Sequence, residues 1–324
     1  MGWQDRITMN RFAVLGRVGL DLYADPPGVE AAAATSFFPA IGGSAGNIAV
    51  ALARLGAGAA LITRVSEDAV GRYCLAELAR YGVSTDHVAF SAGQTRTSLA
   101  VTETRLNPST VLYRNEAADF SLTDADVDAI DFSGFGALIV TGTALAAEPS
   151  RGATLRALER ARGAGALCVL DIDHRRYSWA SDLEARQHYA LAAAQADVVI
   201  GNDEEFALLS GDMDTALTHA ETLARDRAFV VFKKGPEGAT TFAGRMRIDT
   251  PIYPVQARKP MGSGDGFMGG LMSALARGLP LNDALSQGAA TAAIIVAGIG
   301  CAPASPDLAA LRRFMKEHHA HSAP

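Results

Sequence analysis

"LCVLDID" (167–173) is a short apolar run that ends in two aspartates, Asp171 and Asp173. A continuous apolar run of this length reads as a strand buried on both faces, the kind found in parallel sheets covered by helices. The pattern recurs on either side, in "ALIVTGT" (137–143), "DVVIGN" (197–202) and "AFVVFKKG" (228–235), with Ala-, Leu- and Arg-rich helical stretches between. Towards the N-terminus, "FAVLG" (12–16) and "AALITRV" (59–65) are strands. They lead to helices that stop at glycines, "GNIAVALARLG" (46–56) and "AVGRYCLAELARYG" (69–82). The expected fold class is α/β, a three-layer α/β/α body around a mainly parallel central sheet.

Two stretches break this rhythm. Residues 20–40, with "DPPG" and "SFFPAIGG", and residues 95–115, "TRTSLAVTETRLNPSTVLYRN", have strand and turn signals with no helix between them. They are expected to form a small β-lid inserted in a single domain spanning 1–324, since no repeat, charged tract or linker divides the chain. The C-terminal third carries apolar helices. The first, "GFMGGLMSALARGL", places Phe267, Leu271, Met272 and Leu275 on one face.

With 324 residues, 49% of them hydrophobic and 20% charged, the chain can bury a large core. Its net charge of −6 argues against a nucleic-acid or membrane-surface binder, so an anionic ligand needs local charge, backbone amides or a metal. Cys74, Cys168 and Cys301 are far apart and form no metal or redox pair. The start, "MGWQDRITMNRF", has no apolar signal region, and no apolar run reaches membrane-spanning length. A cytoplasmic protein is expected. The "EHHAHSAP" histidines near the C-terminus read as a frayed tail.

A P-loop is excluded in its usual form because the chain contains no Gly-Lys dipeptide, and "GRVGLD" (16–21) and "GGSAGN" (42–47) lack dinucleotide-fingerprint spacing. Four other elements have the makings of a phosphoryl-transfer site. Gly42 and Gly43 with Asn47 open a helix. Asn202 and Glu205 in "GNDEEF" follow a strand, where α/β sheets bind ligands. "FKKGPEGA" (232–239) ends a strand in two lysines and a glycine turn, and "MGSGDGF" (261–267) sets small residues and Asp265 before a helix. Helix N-termini favour anions. Each element also has a purely structural reading: Asn47 and Asp265 as helix caps, Glu205 as first-turn charge, Lys233 and Lys234 as a solvated strand end.

In order and spacing, Gly42-Gly43 with Asn47, Asn202-x-x-Glu205, Lys234-Gly235 with Gly238, and Gly262-x-Gly264-Asp265 resemble the ribokinase family of carbohydrate kinases, the phosphofructokinase-B type. The resemblance runs from about Phe12 to "GIGCAPASPDLAAL". It implies that Asp265 is the general base and that the amides of Gly262, Ser263 and Gly264 hold the transferring phosphoryl group. Asn202 and Glu205 would organise Mg2+ and the ATP phosphates through water, and Lys234, Gly235 and Gly238 would lie along the nucleotide with Gly264. Asp21, Gly42, Gly43 and Asn47 would hold sugar hydroxyls under the lid, through which copies can associate. The family's usual acidic or amide residue and threonines before Gly-x-Gly-Asp are replaced here by Lys259, Pro260 and Met261. That departure puts a monovalent-cation site in doubt and leaves the base untouched.

"YRNEAADFSL" (113–122), "LDIDHRRYSW" (170–179) and the "GRVGLDLY" start are similar to segments of kinases that phosphorylate keto-deoxy sugar acids, 5-dehydro-2-deoxygluconate foremost and 2-keto-3-deoxygluconate next. The resemblance implies that Tyr113, Arg114 and Arg175 contact the substrate, with an arginine pairing its carboxylate. A neutral ketose, a catalytically silent sugar-binding regulator and a nicotinamide dehydrogenase are the alternatives.

Overall fold

The computed structural model describes residues 2–103, 109–258 and 262–318. Its strands in chain order are β1 (Arg11–Leu15), β2 (Gly19–Asp25), β3 (Ser36–Gly42), β4 (Gly58–Ser66), β5 (Ser84–Ser91), β6 (Ser98–Thr102), β7 (Thr110–Tyr113), β8 (Ala137–Thr141), β9 (Leu167–Asp171), β10 (Val198–Asn202), β11 (Phe229–Lys233), β12 (Ala239–Ala243) and β13 (Met246–Thr250). One sheet of nine strands has the order β13-β12-β11-β10-β9-β8-β1-β4-β5. From β11 through β8 and β1 to β5 every pairing is parallel; β12 and β13 add an antiparallel hairpin at one edge.

Burial follows the apolar runs. On one face Val14, Ile139, Val169, Ile200 and Val231 pack with Ile48, Leu52, Met268, Leu271 and Met272. On the other, Leu15, Leu138, Val140, Leu170, Val199 and Val230 pack with Leu158, Tyr189 and Phe206. Each such side chain contributes roughly 1.5–3 kcal/mol by leaving water. The three layers expected from the apolar strands are present.

The element positions differ from the expected ones where polar residues are interleaved. β5, "STDHVAFS", lies at an edge and is only half buried, and β12–β13 carry threonines and charges, so none of the three shows an unbroken apolar run. The helix Ser263–Ala276 is buried all round from Asp265 onward rather than along one stripe. It lies between the helices Ser44–Arg54 and Leu281–Ala297, where Gly269 abuts Ala51 and Gly270 abuts Thr291.

The two rhythm-breaking stretches supply a second sheet, ordered β3-β2-β6-β7. β2 runs antiparallel to β3 and parallel to β6, and β6 pairs antiparallel with β7. Part of the expected "NPS" turn, the Lys259-Pro260-Met261 departure and the tail beyond His318 lie outside the described residues. Among the described residues no helix is long and apolar enough to cross a membrane. Cys74, Cys168 and Cys301 are buried and form no disulfide among the described residues.

The larger sheet places its ligand crevice by topology. β1 is flanked by β4 and β8, so the chain departs to opposite sides of it. Such a reversal leaves a crevice outside the carboxyl ends of the strands.

Candidate active site

Asp265 occupies the first turn of the helix Ser263–Ala276, and Gly262 is its N-cap at φ +85°. A Cβ on Gly262 would lie 1.6 Å from the Cys301 Sγ, so both the left-handed backbone and the space require glycine. Asp265 is therefore not the cap. Its buried carboxylate, 9% exposed, instead accepts a hydrogen bond at Oδ2 from Asn47 Nδ2 at 2.7 Å. Burial, and after it the charge of Asp173, pushes the Asp265 carboxyl up to about 6; the Asn47 bond, Arg175 and Lys233 oppose this.

Asn47 reaches Asp265 because the joint before it is made of glycines. Gly43, at φ +87°, ends the small sheet and caps the helix Ser44–Arg54; a Cβ there would meet the Arg17 carbonyl oxygen at 2.4 Å. A Cβ on Gly42 would lie 1.9 Å from the Asp21 Oδ1. Asp21 thus rests over Gly42, where Oδ2 accepts a bond from the Tyr23 hydroxyl at 3.1 Å. Burial, then Asp21, raises the Tyr23 phenol, and Asp265 adds to the shift across the gap between sheet and body. The Asn47 Oδ1 is buried with no hydrogen-bond partner among the described residues.

The carboxyl ends of β9, β10 and β11 face this helix. Asp171 pairs in register with Ile200, and Asn202 with Lys233, so all three polar ends project on the face covered by Ser263–Ala276. Asn202 and Glu205 form a capping box. Asn202 Oδ1 accepts from the Glu205 amide at 2.8 Å, while Glu205 accepts from the Asn202 amide at 2.7 Å and from the His174 amide at 2.9 Å. Glu205 is thus a buried carboxylate with both oxygens fixed by backbone, beyond the simple first-turn charge of the structural reading. Its position joins β10 to the segment after β9.

Lys233 departs from the structural reading of a solvated strand end. Its Nζ lies 3.6 Å from Asp171 Oδ1 with only 20% of the side chain exposed, because alternation along β11 turns it into the crevice. A Cβ on Gly264 would approach that Nζ to 3.2 Å. Lys234 instead closes the neighbouring turn, donating its amide to the Gly238 carbonyl at 2.7 Å. Gly235 and Gly238 complete that exposed turn at positive φ.

The two arginines part company. Arg114 is buried, with Nη2 donating to Asp119 at 2.5 Å and to the Thr143 carbonyl at 3.0 Å, and its guanidinium 4.1 Å from the Phe120 ring. Arg175 keeps 45% of its side chain exposed and pairs with Asp173 at 2.7 Å. Asp173 in turn accepts from the Thr143 hydroxyl at 3.3 Å and holds φ +39°. Tyr113 is not brought to the cluster. It aligns with Leu99 on the sheet face opposite Asp21 and is 60% exposed.

Asp265, Asn47, Asp21, Gly42 and Gly43, Gly262 to Gly264, Asn202, Glu205 and Arg175 therefore gather around one crevice. Lys233, Asp171 and Asp173 join them; the sequence singles them out only as parts of "FKKGPEGA" and "LDIDHRRYSW", with no separate role for each. The available signal was a charge ending an otherwise apolar strand, as in "LCVLDID" and "FVVFK". Chemically the crevice combines a base of raised pKa, a helix N-terminus, a buried ammonium and hard oxygen donors. Among the described residues no three His, Cys, Asp or Glu side chains cluster as direct metal ligands. Glu205 already holds two amides, so its oxygens suit a hydrated cation held through water better than a dedicated cage.

The fold around this crevice is that of known kinases. The profile of the pfkB family carbohydrate kinases matches residues 9–308. The 5-dehydro-2-deoxygluconokinase of Photobacterium profundum is 39% identical over 310 residues, covering 94% of each chain. That of Geobacillus kaustophilus is 35% identical over 321 residues, covering 96% of this chain and 95% of its own. A fructokinase double mutant from Vibrio cholerae O395, solved with fructose, ADP and a potassium ion, superposes with a TM-score of 0.84 at 26% identity, covering 95% of this chain and 98% of its own. Matched along nearly its whole length, the chain belongs to the pfkB family of carbohydrate kinases.

Proposed function

We propose that the protein transfers the terminal phosphoryl group of ATP to the terminal hydroxyl of 5-dehydro-2-deoxy-D-gluconate. The observation that carries the chemistry is Asp265, a buried carboxyl raised to about 6 and hydrogen-bonded to Asn47 at a helix N-terminus. A base of that kind is ionised at neutral pH yet retains affinity for a hydroxyl proton. The names of the curated relatives support the sugar acid.

In this reading Asp265 accepts the hydroxyl proton, and the first-turn amides of Gly262, Ser263 and Gly264 hold the transferring group. Asn47 Oδ1, buried and unpartnered among the described residues, and Asp21 accept from other hydroxyls. Lys234, Gly235 and Gly238 border the nucleotide. Asn202 and Glu205 hold Mg2+ through water, and the metal neutralises phosphate charge when bound. The small sheet closes as a lid over the sugar from the Gly42-Gly43 joint, excluding water that would otherwise hydrolyse ATP. Three buried cysteines outside any disulfide among the described residues fit a reducing, cytoplasmic setting.

Arg175 reads the substrate carboxylate. It remains half exposed beside Asp173, whereas Arg114 is committed to Asp119 and the Thr143 carbonyl. ADP release should be measured with ATP, Mg2+ and a panel of sugar acids and neutral ketoses. Arg175→Met should raise KM for the acid about 30-fold or more, as expected for a lost charge-assisted partner of about 2–5 kcal/mol, with KM for ATP little changed. A higher KM for ATP with the acid spared, or preference for a neutral ketose, contradicts the assignment.

A further inference from the structure

We infer that Lys233 is a second electrostatic catalyst, whose ammonium binds the oxygens of the transferring phosphoryl group at the N-terminus of the helix Ser263–Ala276. The inference rests on Asp265 as the base of phosphoryl transfer in this crevice.

Three observations converge on the ammonium. Alternation along β11 turns Lys233 inward at the level of Asn202, where only 20% of its side chain is exposed. Its Nζ lies so close to the helix start that a Cβ on Gly264 would come within 3.2 Å of it. Its nearest anion, the Asp171 Oδ1, is 3.6 Å away, beyond hydrogen-bond reach, and that oxygen has no hydrogen-bond partner among the described residues. Asp171 therefore supplies charge without consuming the ammonium's donors. A buried ammonium with donors to spare, set against first-turn amides, is complementary to phosphoryl oxygens.

Charge bookkeeping around the group is consistent with a fixed cation. Burial alone would pull the Lys233 ammonium down, yet Asp171, Glu205, Asp265 and Asp173 together outweigh burial and raise it. Asp171 is in turn pushed up by burial, with Lys233 holding it back. Lys233 keeps its proton throughout the reaction. The sugar oxygen forms a bond to the terminal phosphorus of ATP, the bond to the bridging oxygen breaks and its electron pair leaves with ADP, and the hydroxyl proton passes to Asp265. Lys233 offsets negative charge on the oxygens in flight and complements the backbone amides, which carry only partial charge.

The test compares Lys233→Met, the double variant Lys233→Met with Asp171→Asn, and Asp265→Asn. Lys233→Met should lower kcat by about 10²–10³, the effect of removing one preorganised donor, while affinity for ADP, which lacks the transferring group, stays unchanged. It also leaves Asp171 buried without a counter-ion and should melt earlier. The double variant should regain thermal stability and stay slow. Recovery of turnover in the double variant, or near-normal kcat in Lys233→Met, would show that Lys233 serves only as the counter-ion of Asp171 and overturns the inference. If that happens while Asp265→Asn remains inactive, the base assignment stands and only Lys233 is wrong. Near-normal turnover in Asp265→Asn overturns both.

Discussion

In the proposed reading Asp265 serves the reaction at the expense of the fold. A carboxyl raised to about 6 must lose its proton before it can act as a base, so kcat/KM should fall tenfold per pH unit below that value and level off above it. Asp265→Asn should lower turnover by about 10²–10⁴ and abolish that acid limb. The same shift acts on stability with the opposite sense. Because the folded-state pKa lies above the ordinary carboxyl value, Asp265 contributes stability that is complete below the ordinary value and lost as pH rises through about 6. Asp265→Asn should therefore be more stable than the parent protein at pH 8, by up to roughly 2–3 kcal/mol, and melt higher, while being nearly inactive. A pH series of turnover and of thermal unfolding checks both signs; unchanged activity with lower stability would reduce Asp265 to a structural partner of Asn47.

At the level of elements, the joint between the small sheet and the body has no room for a side chain. Gly42→Ala would drive a methyl into the Asp21 carboxylate, 1.9 Å from its Oδ1, without touching Asp265. The expected outcome is weaker sugar-acid binding with ATP binding intact. In the parent protein, amide exchange in β2, β3, β6 and β7 should slow when sugar acid is added, and that slowing should be lost in the variant. Unaltered exchange at saturating sugar acid contradicts lid closure. How well elements could be read from sequence follows from the same geometry. β8 and β9 are buried along their whole length, and so announce themselves as apolar runs. β5 and β13 lie at the two edges and share their surface with water, and β12, though buried, carries two threonines, which removes that signal. In the site, spacing singled out Asp265 and the Asn202-Glu205 pair, which the fold brings to one crevice. It did not reveal Lys233, because two adjacent lysines look alike until the pleat of β11 turns one inward and leaves the other in a turn.

Across the whole molecule, the small sheet has two unlike faces. Asp21 and Tyr23 lie on one; Leu20, Leu22, Leu99 and Val101 align on the other with Phe37, Val111 and Tyr113, which are 40%, 54% and 60% exposed. An apolar face of this kind marks an association surface, and we propose that two copies meet through it. Sedimentation should find the parent protein at twice its 33.8 kDa and the Phe37→Glu, Val111→Glu variant at the single-chain mass. A parent protein that sediments as one chain contradicts the association. The rims of the large sheet bear on what such a contact can build. On the outermost strand β13, Arg247 donates to Asp249, which also accepts from Thr240 on β12, and at the other rim β5 displays Asp86 and His87. The charges of Arg247, Asp249 and Asp86 make poor templates for an incoming strand, which disfavours ribbon-like growth along the large sheet. On the proposed association the same patch of each copy faces its own image across a two-fold axis. An isologous contact of that kind closes on itself at two copies instead of propagating from chain to chain.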